Sequence, residues 1–477
     1  MRILALALAL CVPSATYAQQ QPQLTLQAPP QAVAPVLTLR EAVATALDNY
    51  PAVRAALASV QVSAAGVDVS RTAYLPRADV LWQVNRATRN SVTGLILPQP
   101  VVAGVSGGIG VDRNETAWGS AMGVLLNWEP FDLGVRGANV ASAESTLRRT
   151  SASADLTRLQ VATAAADGFL TVVATEQTVR AATAAVERAR VFHEVVVARV
   201  QAGLRPGVDA ERARAELALA ETQRIVADQN ATVARVVLAQ YTGQDPQSIR
   251  VSAGSLLELP PPDAIAAASP SPKLGAASLR LHPLAAEQNA AIEESRARLR
   301  VVERSYVPRF NVLLNTYARG TGVRPDGTVS GGLGGLAPDI SNWAVGMNVI
   351  FPLMDRPVLS ARTQAEFQRQ LTETARYERV IEDLEAQFGR SQALLSGAHL
   401  VSANTPFQLA AALATHQQAT ARYQAGLSSI LEVADAQRLL TQSEIDDALA
   451  RLNVWRGLLL VATAQGSLDP FLARAQP

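Results

Sequence analysis

Residues Ala198–Leu217 read ARVQAGLRPGVDAERARAEL, and residues Ala421–Leu440 read ARYQAGLSSILEVADAQRLL. The shared Ala-Arg-x-Gln-Ala-Gly-Leu returns after 223 residues, with Ala213/Ala436 and Leu217/Leu440 still in step behind it. Asp132/Asp355, Glu221/Glu444 and Gly243/Gly466 keep the same interval, so the chain is one unit written twice. Gly203 and Gly426 suit the left-handed conformation that closes a helix, and the leucine after each can pack back on the last turn. Pro206 falls where a new helix can start without its N–H, and Ser429 with Glu432 spells a capping box. The motif therefore reads as the tip of a helical hairpin, present twice.

Outward from the tips the pattern is helical. No proline interrupts the chain between Pro130 and Pro206, and Leu156, Leu159, Ala166, Leu170 and Val173 recur at helical spacing. Ile445, Leu449, Leu452 and Leu459 do the same in the second half. A helix from about Val135 to Gln201 would be about 100 Å long. Pro406 is expected to break or kink its counterpart.

Further out the period changes from helix to strand. Each half opens with a helical stretch between two prolines, Pro51 to Pro76 and Pro283 to Pro308, followed by RADVLWQVN and RFNVLLNTY. In these, Val80, Trp82 and Val84 oppose Asp79, Gln83 and Asn85, and Phe310, Val312 and Leu314 oppose Asn311 and Asn315. Gly-, Pro- and Thr-rich loops, about 90–116 and 320–341, return through WGSAMGVLLNW and NWAVGMNVIF. Apolar outward faces, small or polar inward faces and tryptophans near strand ends fit a transmembrane β-barrel; the alternative is a soluble hairpin packed on helices. Strands are expected at about 77–88, 117–129, 309–318 and 342–351.

These signals divide the chain into a first repeat over 37–245, with its tip near 203, and a second over 279–466, with its tip near 426. Between them lies a proline- and serine-rich linker, 246–278. Residues 19–36 and the tail 467–477 read as irregular. At the N-terminus, Arg2, the apolar run Ile3–Val12 and Thr16-Tyr17-Ala18 read as a signal peptide, residues 1–18. Lipidation at Cys11 is the rival reading, for which Leu10 is a poor neighbour. Cleavage at Ala18 would remove the one cysteine, leaving no disulfide or thiolate site. No later run approaches the roughly 18 uninterrupted apolar residues of a transmembrane helix.

The 477 residues carry a formal net charge of +1, which offers no field for nucleic acid. Apolar residues make up 48% and aromatics only 5%, because alanine supplies the difference, as close-packed helices require. No nucleophile elbow, phosphate loop or paired catalytic carboxylates appear, so no enzymatic activity and no cofactor are expected. His193 and His416 also obey the 223 interval but have no second ligand beside them, so no metal site is expected. His282 and His399 look incidental. Four strands cannot close a barrel, and open edges in lipid leave backbone groups unpaired at several kcal/mol each. If the strands span a membrane, such a chain must share its wall with other copies.

With its signal peptide, duplicated halves and RYQAGLSSILEVADAQRLL, the chain resembles the TolC-like outer-membrane efflux proteins from about Leu37 to Gly466. The resemblance implies an α+β membrane protein: a homotrimer whose twelve strands, four per chain, form one outer-membrane β-barrel. A long α-helical periplasmic tunnel continues it. It implies passive conduction from an inner-membrane transporter through a periplasmic adaptor to the exterior of a Gram-negative cell. Outer-membrane lipid would surround the barrel. It also implies adaptor contact at the tips, at Gly203, Leu204, Gly426 and Leu427, with Arg199, Arg422 and Tyr423 beside them. A periplasmic gate would lie at Glu432 and Asp435. Asp209 matches a position that ties the two hairpins together, although its expected basic partner falls at Ser428, which carries no charge. For Glu432 the capping box is a sufficient alternative. Export of drugs, of metal ions and one-step (type I) protein secretion all stay open. A soluble periplasmic helical-hairpin scaffold or adaptor is the competing class.

Overall fold

A computed structural model of the chain describes residues 36–88, 116–262, 265, 279–322, 324 and 328–475. The signal-peptide reading, Cys11, residues 19–35 of the N-terminal segment, the first strand-to-strand loop and linker residues 263–264 and 266–278 lie outside them. Helices α1 (Leu39–Asn49) and α2 (Pro51–Thr72) lead into strands β1 (Arg77–Thr88) and β2 (Thr116–Phe131). The long α3 (Val135–Gln201) and α4 (Gly207–Thr242) complete the first half. The second half repeats the order as α5 (Pro283–Arg304), β3 (Arg309–Thr321), β4 (Ile340–Ile350), α6 (Arg356–Gln424) and α7 (Ile430–Gln465). Both α4 and α7 have 36 residues and end on a left-handed glycine, Gly243 or Gly466.

Small residues at seven-residue spacing hold the helices together. Ala213, Ala220, Ala227 and Ala234 form one buried row on α4. On α7 two buried rows run side by side, Val433-Leu440-Asp447-Val454-Val461 and Ala436-Ser443-Ala450-Gly457-Ala464. A seven-residue period keeps each row facing its partner as the helices supercoil. Alanine and glycine in these rows let the helix axes approach. A Cβ added to Gly457 would stand 2.9 Å from Leu395 Cα on α6.

Pro406 does not break α6, which is one helix from Arg356 to Gln424. The proline is exposed, while its neighbour Thr405 is buried and donates to Asp447 Oδ1 at 3.0 Å. Packing along α7 outweighs the one backbone bond that proline removes. The leading contacts give the helix order α4–α3–α7–α6, which leaves α4 and α6 at the two edges. Both edges expose large apolar side chains: Ile225, Val233 and Val236 on α4, Leu400, Val401 and Phe407 on α6.

The four strands form one antiparallel sheet in the order β1-β2-β3-β4. Register places Val80 opposite Val124, Val124 opposite Thr316 and Thr316 opposite Trp343, so the even-numbered positions of β1, β2 and β3 share one face with the odd-numbered positions of β4. That face exposes Val80, Trp82, Met122, Val124, Leu314, Trp343, Val345 and Met347. The other carries Asp79, Gln83, Asn127, Asn311, Asn315, Asn342 and Asn348. A bulge between Trp128 and Phe131 shifts the register before the last pair, Phe131 with Phe310, on the helical side, where Trp128 Nε1 donates to Tyr74 O at 3.2 Å. The strands are 11–16 residues long, enough to cross a bilayer when tilted.

Around the middle of the helices gather the described parts of the linker and the described segments flanking the two halves, Leu37 and Leu468–Ala475. Leu37 pairs with Val251, and Trp455 donates through Nε1 to Glu258 O at 2.9 Å. The tail expected to be irregular folds instead into α8 (Asp469–Arg474), where Phe471 meets the Trp455 ring at 6.3 Å between centroids. Among the described residues one helix, α2, has the length and mean hydropathy of a membrane span, although no uninterrupted apolar run announced it. Arg54, Asp68 and Arg71 interrupt the run, and the helix lies along α3 through Ser63–Thr150 at 3.0 Å and Arg71–Glu144 at 3.2 Å.

His282 is not incidental. It caps α5: its Nδ1 accepts from Leu284 N–H, which leaves Nε2–H to donate to Thr463 O, both at 3.1 Å. Burial holds its pKa below the ordinary 6.5 against the pull of that carbonyl. The folded state therefore binds fewer protons than the unfolded one, and its stability falls as the pH drops below about 6.5. We expect His282→Asn, which keeps a capping oxygen, to reduce the loss of thermal midpoint between about pH 7.5 and 5.5. An equal loss in both proteins would contradict this.

Candidate functional site

The two tips are built alike. Gly203 and Gly426 have φ of 70° and 78°, and Leu204 and Leu427 donate back to Arg199 O and Arg422 O at 2.9 and 2.8 Å. Gly203 and Gly426 donate to Val200 O and Tyr423 O, which completes a Schellman closure at each tip. Space beside both glycines is open, so only the backbone angle demands glycine. Alanine at either is expected to cost about 1 kcal/mol, and asparagine less, in thermal melts. Equal melts for all three residues would show that the left-handed angle is unstrained.

Two local expectations fail here. Leu204 and Leu427 do not pack back; each is 72% exposed. Ser429 stands at the N-cap of α7 but makes no capping hydrogen bond, so the capping box is not formed and Glu432 projects from the first turn unengaged by it. Pro206 is the N-cap of α4, one place before its first helical residue, where a helix starts without its N–H as expected.

Beneath the tips, Phe192, Val196, Ala213, Ala419, Tyr423, Ile430, Val433 and Ala436 form a separate small core. Tyr423 is fully buried, edge-on to Phe192 at 5.3 Å, and so is withdrawn from the set of surface contacts. Its hydroxyl has no hydrogen-bond partner. Burial, with the Asp209 carboxylate nearby, raises its pKa, against the pull of Arg205 and Arg199.

A link between the hairpins exists, with its polarity opposite to that expected. Ser428 is buried and only its backbone takes part. The cations come from the first tip. Arg199 Nη1 donates to Gln424 O at 2.9 Å, and Arg205 Nη2 donates to Tyr423 O and Ser428 O at 3.1 and 3.4 Å. Both guanidiniums also lie over the Tyr423 ring, at 6.0 and 4.5 Å. The last carbonyls of a helix lack internal partners and carry the negative end of its dipole, so they accept well from arginine. Asp209 sits in the first turn of α4, where the opposite end of a dipole favours a carboxylate. Sequence reading passed over Arg205 because backbone carbonyls, its partners, leave no mark in a side-chain pattern.

Glu432, Asp435, Arg422 and both tip leucines are exposed. Asp435 is not isolated: Arg438 Nη1 lies 3.6 Å away. The same arginine reaches Glu216 of α4 at 2.5 Å, a second bridge between the hairpins. Higher up, Arg188 of α3 joins Glu444 of α7 at 3.0 and 2.8 Å.

Comparison with known proteins agrees with this arrangement. The profile of the family described as "Outer membrane efflux protein" matches residues 42–244 and again 276–466. Protein CyaE of Bordetella pertussis is 27% identical over 238 residues, 50% of this chain and 46% of that protein; the chain thus spans about half the length of this curated relative. The Campylobacter jejuni CmeC outer membrane channel superposes with a TM-score of 0.75 at 16% identity, covering 90% of this chain and 85% of that one. The open-state MtrE outer membrane channel of Neisseria gonorrhoeae gives 0.67 at 16% identity, covering 90% and 89%.

Proposed function

The chain belongs to the outer membrane efflux protein family, and from that premise we propose that three copies close into one channel-tunnel for tripartite export. Each copy contributes four strands to a twelve-stranded barrel in the outer membrane and two hairpins to a periplasmic tunnel. The channel conducts passively what an inner-membrane pump and a periplasmic adaptor deliver to it. Glu432 and Asp435 line the periplasmic mouth, where rings of like charge focus the field and favour cations. Leu204 and Leu427 are the adaptor's contacts, with Gly203 and Gly426 shaping the turns that present them and Arg422 beside them.

The observation that carries this reading is that the protomer is unfinished at both edges of both layers. Strands β1 and β4 have no further partner among the described residues, and α4 and α6 expose apolar side chains at the matching edges. Rotational symmetry answers all four at once by setting one edge of each copy against the other edge of the next. Twelve strands leave room for a channel, whereas eight would be filled by side chains.

The test is made on the mature protein extracted from outer membranes. We expect a heat-modifiable trimer that conducts in planar bilayers. Leu204→Asp with Leu427→Asp should retain the trimer and lose capture of the cognate adaptor. A detergent-free monomeric protein would overturn the channel, and undiminished adaptor capture would overturn the tip assignment alone.

A further inference from the structure

Resting on the mouth proposed above, we infer that Arg438 is a counter-charge built into that mouth and sets how strongly it prefers cations. Arg438 follows Asp435 by one helical turn, with Nη1 3.6 Å from Asp435 Oδ1. Its Nη2 and Nε grip both oxygens of Glu216 on the neighbouring α4, at 2.5 and 3.2 Å. The guanidinium is thereby fixed by a two-point contact beside the carboxylates that would draw cations. It lines a groove of about 690 Å³ between α4 and α7, in which the remaining charged side chain, Arg188, is committed to Glu444.

An exposed ion pair of this kind contributes little to stability, because water screens it and two long side chains must be held in place. Its sign persists, however. Where three copies converge, each Arg438 offsets one carboxylate of the ring that Glu432 and Asp435 form, and Glu216 holds it there. The mouth is thus a balance of acidic and basic residues.

The Arg438–Glu216 contact also ties α7 to α4, and the two roles separate by sign. Loss of the tie is common to Arg438→Gln and Glu216→Gln, but the charge at the mouth moves in opposite directions. The measurement is the reversal potential of the mature trimer in planar bilayers under a potassium chloride gradient. Arg438→Gln is expected to raise the cation-over-anion permeability ratio roughly twofold or more, and Glu216→Gln to lower it by a similar factor. Arg438→Lys keeps the charge and should keep the wild-type ratio. Shifts in the same direction for Arg438→Gln and Glu216→Gln would assign the contact to the tie alone and overturn the inference, as would no shift in either. A wild-type protein that never conducts would instead overturn the channel reading, and this inference with it.

Discussion

Arginine placed at Val124 or Val345 is expected to cost about 2–4 kcal/mol and to remove the heat-modifiable trimer from outer membranes. Both residues stand near the middle of their strands on the apolar face, 42% and 60% exposed. In lipid that exposure is contact with hydrocarbon, where a guanidinium has no partner and must snorkel or unfold its strand. Arginine at Asn127 or Ala344 adds the same charge to the opposite face of the same strands, where water would surround it. These variants should assemble. Migration of unheated and heated samples, with fractionation of membranes, reads both outcomes. If the two faces tolerate arginine equally, the sheet does not stand in a bilayer.

That contrast of faces was legible in the sequence, because a strand's period of two writes burial directly into residue type. All four strands lie within a few residues of their expected bounds, and the tip turns follow from a glycine whose angle only glycine takes cheaply. The alanine rows were present but unread. A seven-residue row such as Ala213 to Ala234 carries no bulky side chain, so a search for large apolar residues passes over it. Pro406 misled because local chemistry predicts a break that packing along α7 overrides. His282 and the tail helix went unnoticed because their partners, Thr463 O and Trp455, are brought close by folding alone. At the tips, Gly203, Leu204, Gly426 and Leu427 lie where the repeat placed them. The link between the tips, a latch in the channel proposed above, was not read in this form, since Arg199 and Arg205 address backbone atoms that every residue shares.

The latch carries the second large effect. With Arg199 and Arg205 both changed to alanine, the first tip loses its grip on Tyr423 O, Gln424 O and Ser428 O. Partly exposed charge-assisted contacts of this kind contribute on the order of 1 kcal/mol per arginine after solvent screening. A loss of about 2 kcal/mol per protomer shifts a closed-to-open ratio roughly thirtyfold. Resting conductance of the trimer is therefore expected to rise by at least an order of magnitude in the double variant. The heat-modifiable trimer proposed above is expected to persist, because the bonds removed lie within one protomer. Two controls separate the latch from loss of packing. Tyr423→Phe removes a hydroxyl that has no partner and keeps the ring under both guanidiniums, so it should leave conductance unchanged. Arg422→Ala removes an exposed cation of the other tip that makes no such bond, and should also be silent. Wild-type conductance from an intact Arg199→Ala, Arg205→Ala trimer would mean that the hairpins are held elsewhere, with Arg188–Glu444 the next contact to cut.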